Sequence, residues 1–149
     1  MEAGEYGDEE VGGAEVSEYR KQIETTEELS RWYDGKYREM GDGWVTPAEE
    51  CNRHLDALGV PHDLSKTLLD VGCGAGHFLA EAAKRVTSTG AEISQVGARM
   101  TIERVPAGVG VVEMSIENWS YWSSMAGMFD YVVSIGSLEH IVDLSKALG

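Results

Sequence analysis

Three glycines at alternate positions, Gly72, Gly74 and Gly76, follow directly on the apolar run Leu68-Leu69-Asp70-Val71, and the acidic Asp70 lies inside that run. Gly72 and Gly74 carry no Cβ, so the backbone can take unusual dihedrals and approach a ligand closely. A helix starting at His77 would offer free N–H groups that favour a negative group. Read from residues alone, the pattern fits a bare tight turn, a dinucleotide site, or another cofactor site. The dinucleotide fingerprint asks for a third glycine where His77 stands. Glu92 comes 18 residues after Gly74, near the spacing at which an acidic residue meets ribose hydroxyls. One carboxylate can accept from both of them. A solvated strand-end glutamate is the alternative for Glu92 taken singly.

These residues need elements to hold them. Leu68 to Val71 reads as a short buried strand and His77 to Val86 as the helix after it. Thr89 to Ile93 is a second strand, followed by a helix capped by Ser94 and running to Arg104. Val109 to Met114 and Phe129 to Ile135 are third and fourth strands, and a last helix is expected from Ser137 to Lys146. Upstream, a helix near Val16 to Leu29, another over Ser30 to Tyr37, and a third over Pro47 to Leu58 are expected. Thr46 serves the third as N-cap, with Pro47 in its first turn. Gly41-Asp42-Gly43 marks a loop. Alternating strands and helices of this length imply an α/β fold, a parallel sheet with right-handed crossovers and helices on both faces. No internal repeat or interdomain linker is visible.

The stretch Leu68-Leu69-Asp70-Val71-Gly72-Cys73-Gly74-Ala75-Gly76 resembles motif I of the class I S-adenosylmethionine (SAM)-dependent methyltransferases, of the type 11 kind, and three later segments agree in order. Gly90-Ala91-Glu92-Ile93-Ser94 matches the second. Met114-Ser115-Ile116-Glu117-Asn118-Trp119 stands where relatives have Gly-Asp-Ala-Glu-Asn-Leu, so Ser115 replaces an adenine-facing Asp. Phe129 to His140, with its Leu138-Glu139-His140 triplet, resembles motif IV and the helix after it. The resemblance implies a Rossmann-like fold, SAM as cofactor, and transfer of its methyl group to an acceptor. It carries Asp70, Gly72, Cys73, Gly74, Gly76, Glu92, Ile93, Ser115, Ile116 and Ser134 over as cofactor-binding candidates, with Asp70 serving the methionine amino group. His140 becomes a candidate general base or substrate ligand, since an unperturbed imidazole titrates near 6.5; structural packing against the sheet is an equal alternative. Tyr33, Tyr37 and Trp44 read first as helix packing and second as a lid over the cofactor, where their rings could attract the sulfonium.

The family's sheet has seven strands, and about four are accounted for. The resemblance therefore implies a fold that is incomplete at Gly149, either a fragment or a chain whose open sheet edge a partner or second copy covers. Residues 1–29 read as an acidic segment, disordered and then helical, and residues 30–149 as the SAM-binding domain. A formal net charge of −14, from 12 basic and 26 acidic residues among 149, argues against a nucleic-acid partner and leaves a small-molecule acceptor as the expectation. No apolar run reaches the roughly 20 residues of a membrane span. The acidic start Met1-Glu2-Ala3-Gly4-Glu5 does not read as a secretory leader, and Cys51 and Cys73 lack metal-ligand spacing, so no metal and a cytoplasmic location are expected. Two rival readings remain: a non-catalytic SAM-binding or interaction module, and a dehydrogenase.

Overall fold

The structure is a computed structural model that describes residues 23–41 and 44–148. Its centre is a parallel sheet of β1 (Thr67–Val71), β2 (Thr87–Glu92), β3 (Gly110–Glu113) and β4 (Tyr131–Val133), in the order β3-β2-β1-β4. Pairing places Asp70 beside both Gly90 and Val133, and Glu92 beside Glu113. The carboxyl ends of β1 and β2 therefore lie side by side at the centre of the sheet. The strand order turns back after β3, crossing to the other side of β1, which creates the crevice where ligands of open α/β sheets bind. The expected α/β class and parallel sheet are what the chain adopts.

Side chains of β1 alternate between the two faces, as the strand period requires. Leu68 joins Cys51, Leu55, Val60, Phe78, Ala82, Val86 and Val133 in one core, while Leu69 and Val71 meet Ala91, Ile116, Trp122 and Phe129 on the other face. Leu55, Leu68 and Leu79 are fully buried, each contributing about 1.5–3 kcal/mol of apolar burial. The first core lies under α2 (Ala48–Ala57) and α3 (His77–Ala82). The helix α4 (Gln95–Arg104) follows β2, and Ser94 caps it as expected, its hydroxyl accepting from Gly97 N at 3.0 Å.

Several elements differ from expectation. The helix α1 (Thr26–Met40) runs unbroken through Ser30, where one helix was expected to end and the next to begin. It starts at a capping box: Thr25 accepts from Glu28 N, and the Glu28 carboxylate accepts from Thr25 N. Ser30 does not break the helix, because its hydroxyl donates to Ile93 O at 2.9 Å. Most of the expected Val16–Leu29 helix, and the loop residues 42 and 43, lie outside the described residues. Pro47 rather than Thr46 is the N-cap of α2, with no side-chain cap bond. The helix α3 stops at Ala82, and β2 begins at Thr87, two residues earlier than expected. The strands β3 and β4 are each shorter than expected, and a short turn of helix, α5 (Trp119–Trp122), intervenes between them.

The last expected helix is in two pieces. A 3-10 turn covers Leu138–His140, and α6 (Leu144–Leu148) starts afresh. Asp143 accounts for the restart, since its carboxylate accepts from Lys146 N at 3.0 Å and from Ser145 Oγ at 2.7 Å, the bonding of an N-cap.

Candidate cofactor site

The turn after β1 is built on three left-handed glycines, Gly72 (φ 75°), Gly74 (φ 59°) and Gly76 (φ 84°). A side chain at any of them would be strained, and the space is also taken. A Cβ at Gly72 would run into the Ser137 hydroxyl, one at Gly74 would lie 2.9 Å from Tyr37 Oη, and one at Gly76 would lie 2.9 Å from Thr101 Cγ2. Gly72 N and Cys73 N both donate to Ala91 O, at 2.8 and 3.1 Å, which pins the turn to the end of β2. Thr101 of α4 donates to Gly74 O at 2.6 Å.

Two buried carboxylates face this turn. Glu92 is 4% exposed; one oxygen accepts from Gly74 N at 2.8 Å and the other from Ser94 N at 2.9 Å. Burial raises its pKa, and the two backbone bonds offset part of that rise. Asp70 is 3% exposed, and its Oδ2 has no hydrogen-bond partner among the described residues. Burial, with a smaller contribution from the Glu92 charge, lifts its pKa to about 7. A buried acceptor without a donor costs on the order of 1–3 kcal/mol, so this atom is shaped for a donor that the described residues do not supply. A cationic, hydrogen-donating group is what it fits. Each Glu92 oxygen, with one bond made, still has a lone pair for a hydroxyl donor. The residues present thus fit an ammonium and a ribose at neighbouring strand ends, two of the polar parts of SAM, the first expected at Asp70 from the family resemblance and the second at Glu92 from its spacing.

The other candidates are distributed around this pair. Cys73 is buried, its Sγ 3.8 Å from Thr101 Oγ1, and burial pushes its thiol pKa well up. Ile93 presents its carbonyl to Ser30. Ser134 donates to Val71 O at 3.1 Å, and Ser137 to Gly72 O at 3.2 Å, so the segment after β4 is tied to the glycine turn. Ser115 is already engaged: its hydroxyl donates to Glu117 Oε2 and accepts from Glu117 N, both at 3.1 Å. Ile116 turns its side chain into the second core, against Leu69, Val71 and Ala91. His140, with its ring 6.1 Å from that of Tyr33, lies against α1 rather than deep in the sheet.

Two site-facing residues, Asp34 and Glu117, carried no role in the sequence reading, and a third, Tyr37, was read only as helix packing or as part of a lid. Tyr37 lies over the turn, 6% exposed, with its ring 2.8 Å from where a Gly97 Cβ would stand. Its only signal was the aromatic group with Tyr33 and Trp44, whose rings do cluster, at 6.2 Å for Tyr33–Trp44 and 5.3 Å for Tyr37–Trp44. Asp34 accepts from Ser94 Oγ at 2.6 Å and from Val96 N at 3.2 Å. Glu117 is buried at 6% exposure and binds residues far away in sequence. Among the described residues, no three His, Cys, Asp or Glu side chains form a metal-binding group, and no helix is long and apolar enough to cross a membrane.

A crossover parallel sheet with a glycine turn and acidic strand ends at its centre defines a Rossmann-like, nucleotide-cofactor class of protein. A model of the methyltransferase domain matches residues 42–149, and the chain belongs to that family. It is similar to the ubiquinone biosynthesis O-methyltransferase of Pseudomonas paraeruginosa, 34% identical over 85 residues that make up 56% of this chain and 37% of that protein. Among solved structures it superposes on the plantazolicin methyltransferase BpumL in complex with SAH, with a TM-score of 0.58, 20% identity, and coverage of 90% of this chain and 55% of that one. The YcgJ protein from Bacillus subtilis superposes with a TM-score of 0.52 and 17% identity, over 66% of this chain and 42% of that one. These likenesses confirm the fold. The chain spans between about two fifths and just over half the length of the relatives it matches.

Proposed function

We propose that this chain is the cofactor-binding part of a SAM-dependent methyltransferase acting on a small-molecule acceptor. The observation that carries the reading is Asp70 Oδ2, a buried carboxylate oxygen with no donor among the described residues, at the end of β1 and next to Glu92. A dinucleotide has no ammonium to offer it, and His77 stands where a dinucleotide site would need glycine.

When bound, SAM supplies an already activated methyl group. The chain then has only to bind, orient and keep water out. Asp70 accepts from the ammonium, and Glu92 accepts from the ribose hydroxyls. Gly72, Gly74 and Gly76 let the backbone lie close, with Cys73, Ile93 and Ser134 lining the strand ends. Ser115 retains one lone pair for an adenine donor, and Ile116 holds the loop that presents it. His140 takes the acceptor's proton where the acceptor must lose one. The aromatic rings of Tyr33, Tyr37 and Trp44 shield this end from solvent. The acidic surroundings favour a neutral or cationic small molecule over nucleic acid. Two free thiols, Cys51 and Cys73, support a cytoplasmic setting.

Calorimetric titration with SAM, SAH and NAD tests the reading. SAM and SAH should bind and NAD should not; binding of NAD with silence from SAM and SAH overturns it. Gly74→Val should abolish SAM binding, because the turn needs φ +59° and the added atoms meet Tyr37.

A further inference from the structure

Two segments arch over the carboxyl ends of the strands, and both run from the glycine turn to the loop after β3. The first is α1: Tyr37 sits over Gly74, Asp34 bonds Ser94 and Val96, Ser30 bonds Ile93 O, and Thr26 reaches the β3 loop. The second is the chain after β4: Ser134 and Ser137 bond Val71 O and Gly72 O, His140 meets Tyr33, and Asp143 reaches the same β3 loop. Midway the arches touch through the Tyr33 and His140 rings. At their far ends both are held by one side chain. Glu117 Oε2 accepts from Thr26 Oγ1 at 2.8 Å and from Ser115 Oγ at 3.1 Å, and Oε1 accepts from Asp143 N at 2.7 Å.

We infer that Glu117 is a positioning residue that latches both arches closed over the cofactor site and times the entry and exit of the cofactor. The two ends of the enclosure are unequal. At the glycine turn, anchorage is spread over several bonds and a packed ring. At the β3 end, among the described residues, one buried carboxylate joins two partners distant in sequence, Thr26 and Asp143, to its own loop neighbour Ser115, and all three bonds come from neutral donors, so no ion pair opposes release. Opening there frees the first turns of α1 and the 141–148 segment together while β1 and β2 stay paired. The inference rests on the cofactor reading only for what the arches enclose.

The test is hydrogen exchange followed by mass spectrometry on the ligand-free chain, for wild type, Glu117→Ala, Glu117→Gln and Thr26→Val. Glu117→Ala should speed exchange tenfold or more in the first turns of α1 and in residues 141–148, leaving β1 and β2 unchanged. Thr26→Val should speed only the start of α1. Glu117→Gln should stay near wild type, because its oxygen can accept from Asp143 N while its amide donates to the Thr26 and Ser115 hydroxyls. Equal acceleration in β1 and β2 would mean a merely structural residue and overturns the latch, as does no acceleration in either arch. Should Glu117→Ala fail to fold, Thr26→Val decides: unchanged exchange at the start of α1 overturns the latch. Stopped-flow release of SAH should then be at least fivefold faster in the variant that opens. If the wild type does not bind SAH, the cofactor reading fails, while the exchange result still judges the latch.

Discussion

Asp70 is an acid whose pKa the fold raises from near 3.9 to about 7, which makes its contribution to stability depend on pH with a definite sign. The folded chain holds its proton more tightly than the unfolded chain does. Its contribution is therefore fully present below about pH 4 and is lost as pH rises through 7, by at most about 4 kcal/mol. The ligand-free chain should melt at a higher temperature at pH 5 than at pH 8, and Asp70→Asn should flatten that difference in a calorimetric scan. On the proposed reading SAM binding should have the opposite slope, because an ammonium favours the ionised carboxylate. Binding at pH 6 should release a proton, visible as a buffer-dependent heat, and affinity should weaken below pH 7 in the wild type but not in Asp70→Asn. Glu92→Gln should weaken SAM binding by about 1.5–3 kcal/mol, the scale of a hydrogen bond to a charged group; calorimetry at pH 8 measures it.

At the scale of elements, β1 was legible because it is an apolar run closed by a glycine, Leu68 to Val71 followed by Gly72, and β3 and β4 each carry a pair of valines, whereas β2 (Thr87–Glu92) opens on polar residues and its start was set two residues late. The same signals carried the site as far as Asp70, the three glycines and Glu92, which are near one another in sequence or at the ends of adjacent strands. What was not legible came from contacts distant in sequence. Ser30 stood at an expected helix boundary, and Asp34 inside an expected helix had no role, until Ile93 O and the start of α4 gave them partners. The last helix broke because Asp143 offers a better start, while its own N–H goes to Glu117. Glu117 could not be assigned without knowing that α1 crosses the start of α4 and reaches the loop after β3, and Tyr37 could be given no more than a general lid role. Gly97 is the element-scale test of that crossing, since a Cβ there would stand 2.8 Å from the Tyr37 ring and 3.2 Å from Glu92 Cγ. Gly97→Ala should push α1 outward and raise proteolysis within Thr26–Met40, whereas Thr25→Ala should cost about 1 kcal/mol through the lost capping box, read as a shift in melting temperature.

For the whole molecule, the buried acids and the arches have one joint outcome: the chain should be markedly steadier with its ligand than without. A ligand confined to the folded state adds about 2.7 kcal/mol at 100 times its Kd, which for a chain of this size is about 5–10 °C in melting temperature. A scan with rising SAH should show that increase, while the same scan with NAD should leave the transition where it began. The two cores on opposite faces of the sheet do not contain the arches, so ligand-induced protection should concentrate in α1 and the segment after β4 rather than in Leu55, Leu68 or Val86.

The Cys73 sulfur, enclosed between the glycine turn, Thr101 and the end of β2, turns these motions into a chemical clock. A thiol so covered reacts with a disulfide reagent only in the instants when its cover lifts, so its labelling rate counts openings of the turn. Cys51, sealed in the first core beneath α2, reports instead on unfolding of the whole. Following both thiols by mass spectrometry in one tube would separate the two: SAH should stretch the half-time at Cys73 far more than at Cys51. Equal stretching at both would mean that the turn never opens alone.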